Sequence, residues 1–360
     1  MKIVHCLFTM ETGGAQVLAI ELLNEMSESH DVSLIIINNK WNNSLLKQLD
    51  KRVHVFYLNR KEGNRNPFPI IKLNFLLLKL KPDIIHCHEP KMAGIIKTRY
   101  GKLLQTIHDV GISTSFYQLY DGLVAISDAV HKDVISRYNV SIKKVYNGIP
   151  IHLFKQRKEY SLKTDEPLKL IQISRLAHEK KGQDILLHAL HKVIHEYGFS
   201  DFLLDFIGSG NSFQYLKNLV TELGLENNVN FLGEKDRNWL YSNLSDYHIL
   251  IQPSRYEGFG LTLLEGFAAG LPVLASRIDG PAEIISRTPG GFLFADGDSV
   301  GCAKELYNIF GLYWNNEIGV LMKQTIPEIE QRYSIQTCTN EYLKEYSSII
   351  NSSTANPVFI

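Results

Sequence analysis

Two glutamates and two glycines lie in one short stretch of the chain, at a spacing that suits a ligand-binding site. Glu257 follows an apolar run typical of a strand, and Gly258 and Gly260 come directly before a helical pattern. Glycines at a helix N-terminus expose backbone N–H groups at its positive end, which favours an anion. Glu265 lies further along that helix beside apolar residues, and a buried carboxylate needs donors, such as the hydroxyls of a vicinal diol. A helix-capping or salt-bridged glutamate is the alternative.

A second charged loop follows the apolar run at 168–173. It contains Arg175 and Lys181 and ends at Gly182, where another helical pattern starts. A guanidinium can bind two phosphate oxygens at once, and a lysine ammonium supplies a point charge, so this loop suits a diphosphate. A solvated charged loop is the alternative.

Two adjacent glycines occur near the start of the chain. Gly13 and Gly14 separate the first apolar run from an amphipathic helical pattern, so they too offer backbone N–H groups to a ligand. The spacing is not the G-x-G-x-x-G of a dinucleotide fold, which disfavours nicotinamide binding. An ordinary strand-to-helix turn explains the pair equally well.

Taken in order, these motifs resemble the retaining GT-B enzymes of glycosyltransferase family 4. Glu257 and Glu265, with seven residues between them, are the most specific element, and the resemblance spans most of the chain. The further motifs that carry it are Gly13-Gly14-Ala15, Ile107-His108-Asp109, Ala125-Ile126-Ser127, Asn147-Gly148-Ile149, Arg175, Lys181-Gly182, Gly208-Ser209-Gly210, Gly258-Phe259-Gly260-Leu261 and Gly280-Pro281-Ala282-Glu283.

The resemblance implies roles for individual residues. Arg175 and Lys181 would neutralise the leaving diphosphate, Glu265 would hold the ribose hydroxyls, and His108 would lie beside the reacting sugar. Glu257 would hold the transferred sugar. The remaining donor-binding positions implied by the resemblance are Gly13, Gly14, Gly208, Phe231, Gly258, Phe259, Gly260 and Leu261.

The resemblance also implies an activity. The expected reaction is hexosyl transfer from a nucleoside-diphosphate sugar to a hydroxyl acceptor, a glycan or lipid-linked glycan precursor, with retained anomeric configuration and without a metal or cofactor. A GT-B nucleotide-sugar epimerase and a non-catalytic sugar-nucleotide-binding subunit stay open. The family usually has its Lys-Gly one residue sooner, so Lys180 is an alternative to Lys181. Asp279 and Pro150 also depart from the family pattern, which leaves acceptor and linker geometry open.

Two other stretches have ambiguous patterns. His86-Cys87-His88-Glu89 resembles a metal cluster, but alternate residues of a strand point to opposite faces, so we expect a structural role for His88. The stretch from Arg65 to Lys81 is basic and strongly apolar. It fits either a core crossover helix or a helix lying on an anionic membrane surface.

Composition limits the class of protein. The chain has 360 residues and a formal net charge of +0, which argues against nucleic-acid binding as its main function. Four scattered cysteines form neither a disulfide framework nor a zinc motif. We found no apolar run long enough to span a bilayer and no signal-peptide pattern, so we expect a cytoplasmic protein, with peripheral contact at the inner face of the membrane as an open alternative.

Alternating strand and helix patterns must position these residues. The alternation predicts parallel sheets covered on both faces, in two Rossmann-like α/β domains that face each other across a cleft. A charged stretch from Lys155 to Pro167 is the predicted linker. We therefore predict an acceptor-side domain at 1–155, completed by a crossover helix at 335–360, and a nucleotide-sugar-binding domain at 165–334.

Overall fold

The computed structural model describes residues 1–98, 100–162 and 166–352, and the chain divides into two compact units. The first unit combines Met1–Ile149 with the C-terminal stretch from Tyr333, and the second is Pro150–Arg332. Position 165, where we predicted the second domain to begin, lies outside the described residues, as do residues 353–360 of the predicted C-terminal helix.

The first unit is built on a seven-stranded parallel sheet in the order β3-β2-β1-β4-β5-β6-β7. Several of its strands are continuous apolar runs, as expected for a sheet buried on both faces. The strands are β1 Lys2–Leu7, β2 Asp31–Asn38, β3 His54–Arg60, β4 Ile84–Cys87, β5 Lys102–Ile107, β6 Gly122–Ala125 and β7 Lys143–Lys144.

The second unit has a six-stranded parallel sheet in the order β10-β9-β8-β11-β12-β13. Its strands are β8 Leu168–Ile173, β9 Phe202–Ile207, β10 Val229–Phe231, β11 Ile249–Gln252, β12 Val273–Ser276 and β13 Gly291–Phe294. In both sheets the strand order reverses beside the unit's first strand, between β1 and β4 and between β8 and β11. Ligands of open α/β sheets bind beyond the carboxyl ends of the strands at such switch points.

Helices connect the strands in both units. The helices are α1 Gly14–Met26, α2 Asn43–Leu46, α3 Phe68–Leu80, α4 Met92–Ile95, α5 Asp128–Arg137, α6 His178–Lys181, α7 Gln183–Tyr197, α8 Phe213–Glu222, α9 Arg237–Asn243, α10 Leu261–Ala268, α11 Asp279–Ile285, α12 Ser299–Trp314, α13 Ile318–Tyr333 and α14 Ile335–Asn351. The prediction of two parallel-sheet α/β domains is confirmed. None of the helices in the described ranges has the length and apolarity needed to cross a membrane.

The last helix completes the first unit. The Ile149 N–H donates to the Tyr333 carbonyl at 2.9 Å, and the Ile335 N–H donates to the Ile149 carbonyl at 2.8 Å. Tyr342 and Tyr346 of α14 are fully buried in the core formed by β1, β2 and α1. The helix predicted to start at Ile335 is therefore part of the first unit's hydrophobic core.

Candidate functional site

Most of the predicted site residues follow β8 and β11, the two strands at the switch point of the second sheet. The loop after β8 carries Arg175 and leads through α6 to Gly182, and the loop after β11 carries Glu257 and leads into α10. Because neighbouring parallel strands end at one edge, these two loops lie side by side.

Close backbone packing and an ion pair hold the two loops together. Gly182 has φ 64°, and a Cβ on it would lie 1.8 Å from the Pro253 carbonyl oxygen, so only glycine fits there. Arg255 donates to both carboxylate oxygens of Asp184 at 2.8 and 2.7 Å and to the His178 carbonyl at 2.7 Å. Burial raises the pKa of Asp184, but hydrogen bonds from Arg255 outweigh it and hold that pKa below its ordinary value.

A lysine from the first loop reaches the acid of the second. Lys181 Nζ lies 2.5 Å from Glu257 Oε2, and both side chains are partly buried. Lys180 Nζ lies over the ring of Tyr256, 5.6 Å from its centroid. Of the two lysines that the sequence left as alternatives, Lys181 is therefore the one in contact with another predicted site residue.

Arg175 differs from Lys181 and Arg255, which both pair with acids. Within the described ranges its guanidinium has no acidic partner, whereas its carbonyl oxygen accepts a hydrogen bond from Gln183 Nε2 at 2.9 Å. The backbone of Arg175 is thus fixed against the start of α7. Its positive charge is available for an anion.

The N-terminus of α10 lies at the end of the second loop. Gly260 caps the helix with φ 104°, a conformation that favours glycine, and Leu261 is the first helical residue. Gly280 packs so closely that a Cβ on it would lie 2.8 Å from the Gly258 carbonyl oxygen. The family motif around Gly280 therefore has a packing role, supporting the loop that holds Gly258 and Phe259.

Glu265 has a partner that the sequence analysis missed. Its side chain is buried, as predicted, but its carboxylate accepts a short hydrogen bond from Nη1 of Arg237 in α9. Arg237 Nε also donates to the Tyr241 hydroxyl at 3.2 Å. The salt-bridged alternative is therefore present, and the contact of Glu265 with a ligand diol stays a prediction.

Two further predicted positions have structural reasons of their own. Gly208 has φ 134°, and a Cβ on it would lie 2.0 Å from the Ser174 carbonyl oxygen. Phe231 stacks on Phe206 with ring centroids 5.2 Å apart and meets the edge of Phe213 at 5.4 Å. Gly208 therefore shapes the loop that carries Arg175, and Phe231 belongs to an aromatic cluster.

The predicted residues of the first unit follow β1, at its switch point, and β5, one strand beyond it. Gly13 caps α1 in an extended conformation and Gly14 is its first residue, so the helix N-terminus follows β1. His108 comes directly after β5 and is partly exposed. Its Nε2 lies 3.0 Å from Nδ1 of His88, which follows β4.

His108 belongs to a larger cluster of histidines. His5, His86 and His88 are all buried, His5 Nδ1 lies 3.1 Å from His88 Nε2, and one ring nitrogen from each of the three lies within 4.8 Å of the others. Our expectation that the strand's alternation separates these residues was wrong. His86 and His88 are two positions apart and share a face, and His5 on β1 is in register with His86.

The contacts of His86 favour a hydrogen-bonded cluster. Its Nδ1 pairs with the Tyr346 hydroxyl at 2.6 Å and its Nε2 with Thr106 Oγ1 at 2.7 Å, so neither ring nitrogen offers a lone pair to a metal ion without losing a partner. Burial lowers the pKa of His5 to about 3 and that of His108 to about 4. The cluster is therefore uncharged at neutral pH.

One acid beside the histidines was considered only as part of the metal motif. Both oxygens of Glu89 accept from the Phe8 N–H, at 3.3 and 3.4 Å, and burial raises the pKa of Glu89 to about 8. A carboxyl that stays protonated at neutral pH is a common feature of functional sites. Its position directly after β4 was the signal available in the sequence.

Comparison with known proteins agrees with this geometry. The family profile described as Glycosyltransferase Family 4 matches residues 12–153, and the profile described as Glycosyl transferases group 1 matches residues 154–309. The chain belongs to glycosyltransferase family 4. It is 33% identical over 250 residues to N-acetyl-alpha-D-glucosaminyl L-malate synthase of Bacillus anthracis, a match that covers 62% of this chain and 64% of that relative. The chain spans less than two thirds of the length of the first curated relatives it matches.

Solved structures of similar proteins establish the fold of this family 4 chain. A glycosyltransferase from Rickettsia africae superposes with a TM-score of 0.81 at 22% identity, covering 97% of this chain and 98% of the other. Anabaena HepE, in complex with UDP and glucose, superposes with a TM-score of 0.79 at 20% identity, covering 97% and 100%. The predicted GT-B fold is confirmed.

Proposed function

We propose that this protein transfers a hexosyl unit from a nucleoside-diphosphate sugar to a hydroxyl group of a glycan or lipid-linked glycan precursor, with retention of anomeric configuration. The observation that carries the proposal is the exposed Arg175 guanidinium, which has no acidic partner among the described residues and lies in the loop that carries Lys181, the partner of Glu257, at the second sheet's switch point. The B. anthracis relative is named for an N-acetylglucosaminyl product, and HepE binds UDP and glucose, which supports a nucleotide-sugar donor.

The cations of the loop act on the leaving group. As the bond between the anomeric carbon and the phosphate oxygen breaks, its electron pair stays with the diphosphate, whose negative charge grows. Arg175 and Lys181 offset that charge, and the N–H groups at the start of α10 add to the effect. Interactions that strengthen only as charge develops accelerate the reaction. We include in the proposal that no metal or cofactor is needed, because these side chains supply the positive charge.

Retention follows if the acceptor attacks from the leaving-group side. The acceptor oxygen then bonds to the anomeric carbon on the face that the diphosphate leaves, and its proton passes to the departing phosphate oxygen. No protein base is required for this step. Glu257, fixed by Lys181, accepts hydrogen bonds from sugar hydroxyls, Glu265 contacts the ribose beside Arg237, and the uncharged His108 orients the sugar.

We also propose where in the cell the protein acts. A lipid-linked acceptor would bring the protein to the inner face of the cytoplasmic membrane as a peripheral protein. Apolar side chains exposed on α3 support this location.

Thermal shifts with UDP-, GDP- and ADP-sugars identify the donor, because a ligand that binds only the folded state stabilises it. The best donor is then used in turnover assays with Arg175→Ala. We expect turnover to fall about 100-fold, the usual effect of removing one electrostatic contact to a transition state. Arg287→Ala, which removes an exposed arginine of the same unit, is the matched control.

Three outcomes would overturn the proposal. One is near-normal turnover by Arg175→Ala with an unchanged KM for the donor. Another is epimerised donor, without transfer, after incubation with candidate acceptors. The third is a β-linked product from an α-linked donor, read from the anomeric coupling in the NMR spectrum of fresh product, which would exclude retention.

A further inference from the structure

Helix α3 has an apolar face that is not packed against the protein. Its buried residues are Leu73 and Leu77, which contact the core beneath the first sheet. Four other large apolar residues of the helix are exposed, namely Phe68 at 72%, Ile71 at 58%, Phe75 at 68% and Leu78 at 45%. A crossover helix needs the first set for its packing, but not the second.

The exposed residues form one continuous stripe. Phe68, Ile71, Phe75 and Leu78 follow the three- and four-residue steps that place side chains on one helix face, and this face is roughly opposite Leu73 and Leu77. We call these four residues the α3 stripe. Scattered exposed apolar residues are normal, but a contiguous patch of this kind marks an interaction surface.

Basic residues flank the stripe along the chain. Between Arg60 and Lys81 the chain has six basic residues and one acidic residue, and that acid, Glu62, is paired with Lys40 at 2.5 Å. Lys72 and Lys79 are exposed and seven residues apart, so they line one edge of the stripe. The unbalanced charge near the stripe is therefore positive.

Backbone N–H groups at both ends of α3 have acceptors. The Phe68 N–H donates to Asn66 Oδ1 at 3.0 Å, and the N–H of Lys81, which ends the helix in the left-handed conformation, donates to the Leu77 carbonyl at 2.9 Å. A helix with satisfied backbone groups can enter the interface of a bilayer without leaving polar backbone unpaired.

We propose that the α3 stripe docks onto the surface of an anionic phospholipid bilayer, with its four apolar side chains in the headgroup–acyl boundary and Lys72 and Lys79 against lipid phosphates. This inference deepens the membrane location that accompanies the proposed function, and it assigns that contact to named residues. An apolar face with a basic edge is the known pattern of helices that lie in the plane of a membrane.

Two features favour a bilayer over a protein partner. The stripe lies on the outer side of a single helix, so it has the shape that enters a lipid surface, whereas helix-binding partners offer grooves to such faces. The flanking charges have one sign, which matches the negative surface of anionic lipid. A protein partner and a second copy of this chain are therefore outcomes of the test.

The test is sedimentation of the full chain with phosphatidylcholine vesicles that contain or lack phosphatidylglycerol. We expect binding only with phosphatidylglycerol, and weaker binding as salt rises. Phe68→Ser/Phe75→Ser should weaken binding at least about tenfold, because each buried phenyl ring stabilises the bound state. Leu119→Ser/Ile135→Ser is the matched control, since these apolar residues of the same unit are each 48% exposed but lie outside α3.

Vesicle binding that survives Phe68→Ser/Phe75→Ser, or an equal loss in the control variant, would overturn the proposal. So would a concentration-dependent dimer in light scattering that this variant abolishes, with no vesicle binding, because the stripe would then pair two copies. Vesicle binding is measured without donor sugar, and the donor-induced thermal shift is measured without vesicles. A failure of membrane docking is therefore distinguishable from a failure of the proposed transfer.

Discussion

The switch points of the two sheets hold opposite kinds of polar groups. After β8 and β11, ionised side chains pair with one another, as Lys181 does with Glu257 and Arg255 with Asp184. His5 in β1, His88 after β4 and His108 after β5 bond to one another, within the described ranges without an acidic partner, and stay neutral. Similar sheets thus support one edge suited to an anion and one suited to neutral hydroxyl groups.

Burial explains why the two regions differ. A buried charge is tolerated when a partner of opposite charge and further hydrogen bonds satisfy it, as for Arg237 and Glu265. A buried imidazole without such a partner loses its proton instead, which is the state of His5. The charged region should therefore respond most to removal of a charge, and the histidine region to pH.

The largest expected effect is on catalysis in the charged region. Lys181→Ala should lower turnover about 100- to 1,000-fold, because the developing charge on the diphosphate loses its point-charge partner. Lys180→Ala should change turnover less than about threefold, since Lys180 packs over Tyr256. Steady-state kinetics of both variants measure this difference. The reverse ranking would show that the wrong lysine was assigned.

The buried pair of the charged region is expected to matter for stability. Glu265→Gln should lower the free energy of unfolding by about 3 kcal/mol, because the Arg237 guanidinium is then buried without its counter-ion. Arg237→Met/Glu265→Gln should recover part of that loss, since the uncompensated charge is gone. Urea unfolding measures both values. If the loss of stability in the double variant equals the sum of the losses in Glu265→Gln and in Arg237→Met alone, the pair is not coupled.

The histidine region should make the fold sensitive to acid. The pKa of His5 is about 3 in the folded chain and about 6.5 in the unfolded chain. Between these two values the unfolded chain therefore binds a proton at His5 that the folded chain does not bind. The folded chain therefore has its full free energy of unfolding above about pH 6.5, and protonation of His5 in the unfolded chain lowers that free energy as the pH falls toward 3. By pH 5 the loss should reach about 2 kcal/mol for this one group.

His5→Phe should remove that loss, so its unfolding free energy should change less between pH 7 and pH 5 than that of the wild type. His54→Gln, at an exposed histidine of the same unit, is the control and should retain the wild-type dependence. Identical pH dependence in all three proteins would mean that His5 is protonated in the folded state.

The smallest expected effect is at Glu89, where stability changes with pH in the direction opposite to that at His5. Burial raises the pKa of Glu89 to about 8 from an ordinary value of 4.5, so its stabilising contribution is complete at low pH and is lost as pH rises toward 8. Glu89→Gln, which imitates the protonated acid, should gain about 1 kcal/mol over the wild type between pH 5 and pH 8, after allowance for partial exposure. Thermal unfolding across that range measures the gain, and no gain would show Glu89 to be ionised.

Most strands were predictable because they are compact apolar runs with turn residues beside them, unlike the two exposed lysines of β7. Strand Leu168–Ile173 has the bounds of the apolar run at 168–173, and a helix begins just after Gly182 where the helical pattern started. Strand Gly291–Phe294 was not predicted, because it has only four residues and begins at the pair Gly290-Gly291, which is equally typical of a loop. Local pattern was sufficient where an element was long, and insufficient at a short edge strand.

The sequence could not predict which side chains of the site pair with each other when they lie far apart along the chain. Lys181 and Glu257 were each predicted as site residues because each lies in a loop that follows an apolar run typical of a strand. Arg237 lies on a helix with no motif, 28 positions from Glu265, and nothing local indicates where its guanidinium points. The histidine cluster likewise depends on the register of β1 with β4.

The return of the chain to the first unit at Ile335 affects the order in which the two units can fold during synthesis. The second unit is one continuous segment, Pro150–Arg332, inserted between the two parts of the first unit. On the ribosome it can fold as soon as its own residues have emerged, whereas the first unit must wait for Tyr342 and Tyr346 to fill its core. Until translation reaches those tyrosines, His86 lacks one of its two partners, so the last helix is also the last step in making the histidine cluster.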